Sequence, residues 1–73
     1  MVNKKLLSSL SPSRFYHLLV VVRDERRKPF WRFSVTLYGN EVPIYFSHLI
    51  DAYPSNFKIR VYLVPSYQTI LFI

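Results

Sequence analysis

The sequence predicts a small α+β domain: a β-β-α-β-β antiparallel sheet in the order 2-1-3-4, with one amphipathic helix packed on one face and a short N-terminal helical turn. Three features point there. Phe30–Tyr38 and Phe57–Val64 share a two-residue alternation, which gives each strand one apolar and one largely polar, basic face. Val42–Tyr53 spaces its apolar residues at a helical period. Arg14–Arg23 centres on Val20-Val21-Val22 and is apolar on both faces, as suits a central strand covered on both sides.

Taken in order, Asn3 caps a turn that carries Leu6, Leu7 and Leu10 on one side. Lys4 and Lys5 oppose its dipole, so packing must hold it, and Ser11-Pro12-Ser13 ends it. Arg14–Arg23 is the first strand, and the charged connection Asp24–Pro29 leads to the second, Phe30–Tyr38, as a hairpin. Gly39-Asn40 stops that strand. Asn40 is the expected N-cap of the helix, with Glu41 suited to the dipole and Pro43 tolerated in the first turn. Val42, Tyr45, Phe46, Leu49, Ile50 and Tyr53 form its buried stripe, and Glu41, His48 and Asp51 its outer side. Pro54 closes the helix before the third strand, Phe57–Val64. Pro65-Ser66 turns the chain into a fourth, Tyr67–Ile73.

The helix must cross from the second strand to the third over the apolar face, and placing the third strand beside the first keeps the doubly apolar strand inside. The inner face then holds Tyr16, Leu18, Val20, Val22, Trp31, Phe33, Val35, Leu37, Ile59 and Val61. The far face shows Phe15, His17, Leu19, Val21, Arg32, Lys58, Arg60 and Tyr62. An apolar strip bordered by cations calls for a cover or a ligand. Leu6, Leu7 and Leu10 folded back over it would be such a cover.

Seventy-three residues make one domain, with 1–13 as an N-terminal turn or arm and 14–73 as the core. There is no cysteine, so with 18% of the residues aromatic, stability falls to tight aromatic packing, to a partner subunit, or to both. The longest apolar run, Leu18–Val22, is far below the roughly 18–20 residues of a membrane span. Leu6–Leu10 is too short and polar for a secretory signal, so an intracellular setting is expected over secretion. The start is free of acids up to Asp24, as in a transit peptide, but cleavage there would remove the first strand.

A net charge of +6 directs attention to anionic partners. Arg23, Arg26, Arg27 and Lys28 surround the first hairpin, while Arg32, Lys58 and Arg60 lie on the sheet face near Tyr62, Phe15 and Phe30. Cations engage phosphates and exposed rings stack on unpaired bases, so these residues form the expected nucleic-acid site, for RNA or DNA. Asp24 and Glu25 are expected to pair with the hairpin cations. No catalytic set is expected: His48 and Asp51 could touch, but no nucleophile or second acid joins them. Two isolated histidines make a poor metal set, and a single glycine excludes phosphate-cradling loops, so neither metal nor cofactor is expected. The expected function is a small, basic, non-enzymatic binding module. The alternative is a protein-interaction module, such as a phage- or plasmid-type inhibitor or an assembly subunit, that sets the same cations against an acidic protein. Self-association through the far face or the edge of Tyr67–Ile73, as a homodimer or within a larger assembly, is a third expectation.

Overall fold

Four strands, β1 (Phe15–Asp24), β2 (Phe30–Tyr38), β3 (Phe57–Val64) and β4 (Gln68–Phe72), pair antiparallel in the order β2-β1-β3-β4 in the computed structural model, which describes residues 1–26 and 30–73. Two helices, α1 (Lys4–Ser8) and α2 (Val42–Ala52), complete the α+β architecture. The predicted order and face assignment hold. Leu18, Val20 and Val22 of β1 meet Ile59 and Val61 of β3 under Val42, Phe46 and Leu49 of α2, in one buried cluster.

At the end of β1 the strand runs one residue further than its apolar pattern. Asp24 pairs opposite Phe57 and is only 8% exposed. Its Oδ1 accepts the Arg26 backbone N–H at 3.0 Å and Asn56 Nδ2 at 3.1 Å. It therefore ties the hairpin to the β3 entry, and among the described residues it pairs with no hairpin cation. Glu25 does make the expected local pair, with Arg23 at 3.7 Å.

The helix stripe is narrower than the periodicity suggests. At 3.6 residues per turn Ile50 sits about 80° round from Val42, at the margin of the stripe, and it is 46% exposed. Trp31 lies on the inward row but on the edge strand; it is 49% exposed and stacks on Phe57 at 6.2 Å. Asn40 is not the N-cap, because a 3₁₀ turn over Gly39–Glu41 precedes α2 and Glu41 Oε1 accepts the Tyr38 N–H at 2.8 Å. Gly39 is required there by close approach: a Cβ would stand 2.2 Å from the Ser11 carbonyl oxygen. The Gly39 N–H donates to Arg14 O at 3.0 Å, clamping the chain ahead of β1.

The edge of β4 is not open. Val2 bridges Leu71, the Asn3 N–H donates to Ile70 O at 3.0 Å, and Met1 O accepts from the Phe72 N–H at 2.9 Å. Asn3 also caps α1 as expected, its Oδ1 accepting the Leu6 N–H at 3.1 Å. Leu6, Leu7 and Leu10 pack against the buried core, so they do not cover the far face. One register shift breaks the β3–β4 ladder: Tyr62 faces Thr69 and Val61 faces Leu71, leaving Ile70 as the extra residue of a bulge. Two consecutive side chains, Ile70 and Leu71, are buried as a result, and Phe72 is turned outward opposite Arg60.

Candidate nucleic-acid interface

The pairing register assembles the far face row by row. Arg32, Val21, Arg60 and Phe72 form one row across the four strands. Phe30, Arg23 and Lys58 form the row nearer the first hairpin, and Ser34, Leu19, Tyr62 and Thr69 the row on the other side. With neighbouring strands about 4.8 Å apart, the Arg32 and Arg60 backbones stand roughly 10 Å from each other. Five of the expected residues, Arg23, Arg32, Lys58, Arg60 and Tyr62, thus share one surface. Arg26 is exposed in the turn beyond β1, apart from these rows. Arg27 and Lys28 lie outside the described residues.

The face is uncovered among the described residues, since both helices pack on its other side. Phe15 is exposed, and Leu19, Val21 and Tyr62 are half-buried. A shallow concavity of about 360 Å³ opens over Val21 between Arg23, Phe30, Lys58, Arg60 and Phe72. Two of the cations lie over rings: Arg60 Cζ is 4.5 Å from the Phe72 centroid, and Arg32 Cζ is 5.3 Å from that of Phe30. At the far end of the same face Phe15 and Tyr38 stack at 3.9 Å.

Charge is segregated by the fold. Of the four acids, Asp24 is turned inward, Glu41 and Asp51 sit with α2, and only Glu25 borders the concavity. Among the described residues Arg32, Lys58 and Arg60 have no carboxylate within ion-pair distance. Their attraction for an anion is therefore unspent, whereas Arg23 shares its charge with Glu25 at an exposed site where such a pair is weak.

The sequence reading did not include Phe72 in the site. No Gly or Pro marks the bulge that turns it outward, so regular alternation gives it no place on this face. The histidines stay apart from the cations: His17 Nδ1 shares a 3.1 Å hydrogen bond with Thr36 Oγ1, and His48 makes no hydrogen bond or ion pair with Asp51 among the described residues. No three His, Asp or Glu side chains cluster among the described residues, and none of their helices is long and apolar enough to cross a membrane. Comparison of the chain with protein-family models, with curated proteins and with solved structures gives no match.

Proposed function

We propose that the protein is a non-enzymatic binding module that holds RNA or DNA against the far face of its sheet. The observation that carries this reading is the row of Arg32 and Arg60, with Lys58 beside it, on an uncovered surface that only one of the four acids, Glu25, borders. A phosphate backbone supplies negative charge at regular spacing, and its release of counterions on binding makes association depend steeply on salt. Arg23 at the hairpin end of β1 and Arg26 in the turn beyond it extend the positive charge past one end of the face.

Titration with single-stranded and duplex oligonucleotides at two salt concentrations tests the proposal. Binding that weakens as salt rises is the expected result. No binding at low salt, or binding indifferent to salt, overturns it. In that event the apolar strip of Phe15, Leu19 and Val21, framed by the same cations, favours an acidic protein as the partner. Nuclease-resistant capture of one acidic protein would then be expected.

A further inference from the structure

Burying Ile70 and Leu71 together turns Phe72 outward, and its ring is left exposed on the cationic face. An apolar residue one position from the chain end of a strand is 47% exposed because a bulge reverses the alternation ahead of it. Regular pairing would place Phe72 on the inner face and Leu71 outside. The same bulge sets the ring beside Arg60, where the guanidinium lies over it at 4.5 Å. The pair forms one wall of the concavity, Phe30 lies across from it, and Lys58 and Arg23 stand at its hairpin end.

We propose that this concavity seats one unpaired base of a single strand, stacked with the Arg60–Phe72 pair, with the adjoining phosphate on Lys58. This rests on the nucleic-acid reading above and narrows it to single strands. Rings and guanidinium planes stack on a base only when its face is free, and a duplex hides those faces within its own stack. Cations alone would take either form through phosphate contacts. The concavity of about 360 Å³, walled by Phe30, Phe72 and the cations with Glu25 at its border, offers an unpaired base both an apolar and a cationic surface. Stacking is indifferent to base identity, so weak sequence preference accompanies the strand preference.

The test compares oligo-dT, oligo-rU and a duplex of matched length on the wild type, Phe72→Leu and Phe72→Tyr, with thermal unfolding of each protein as the fold control. Both single strands are expected to bind more tightly than the duplex. Phe72→Leu should lose about five- to a hundredfold in single-strand affinity, the range of one base–aromatic stack, and leave duplex binding unchanged. Phe72→Tyr keeps the ring and should keep the affinity. Salt-dependent binding in which the duplex binds as tightly as the single strands, or in which Phe72→Leu behaves as wild type, overturns the seat and leaves the broader function standing. Absence of all nucleic-acid binding overturns both.

Discussion

Tyr67 is the one residue, among those described, that holds a positive φ. It begins the return into β4 with φ at 58°, the left-handed region that disfavours a β-carbon, and its N–H donates to Leu63 O at 2.7 Å. Its side chain is exposed, so replacing it removes little packing. Tyr67→Asn, which tolerates this conformation and keeps the N–H, should raise stability by about 1 kcal/mol in chemical denaturation. The position was not legible beforehand, because Pro65-Ser66 announces a turn without saying which residue takes the left-handed step. Asp24 was hidden for a different reason. Its partner Asn56 is 32 positions away, and no local pattern tells a carboxylate engaged by a distant amide from one paired with a neighbouring arginine.

At the scale of elements, the strands and α2 were readable because period-two and helical patterns each commit many residues to one face. Edges were less so. Trp31 has the right parity for the core, yet β2 is an edge strand and the helix packs over β1 and β3. The other edge is closed by the segment before α1, whose three residues carry no strand signal of their own. Asn3→Pro removes both the N–H that bonds Ile70 and the carboxamide that caps α1. It should cost about 1–3 kcal/mol and free the β4 edge for pairing between molecules. Light scattering over a range of concentrations should show more association than in the wild type. On α2, burial and then the neighbouring Tyr53 raise the Tyr45 phenol above its ordinary value of 10.0. A pKa raised on folding contributes stability that is present below pH 10 and lost as pH climbs through the folded value. The fall in stability above pH 10 should accordingly be shallower in Tyr45→Phe, as followed by denaturation at a series of alkaline pH values.

The whole molecule carries +6 with most of its acids away from the sheet face, so salt should act on it in two opposite directions. Screening relieves self-repulsion and should raise the melting temperature of the free protein. The same screening and the loss of counterion release should weaken nucleic-acid binding. Measuring both over one salt series separates the terms; parallel trends would contradict a function built on this charge. Lys58→Gln, at an exposed position, should flatten the binding slope by about one phosphate contact and leave the melting temperature nearly unmoved.

The extra residue in β4 has a consequence for how the two sides of the sheet can change. Excising Ile70 would leave Leu71 against Val61 and Phe72 against Arg60, so the far face keeps its parity while the interior forfeits one large aliphatic group. Inserting a single residue between Leu71 and Phe72 would do the reverse, sparing the interior and withdrawing the ring from the cations. Insertions and deletions in this one strand therefore act as a switch between altering stability and altering what the protein can hold.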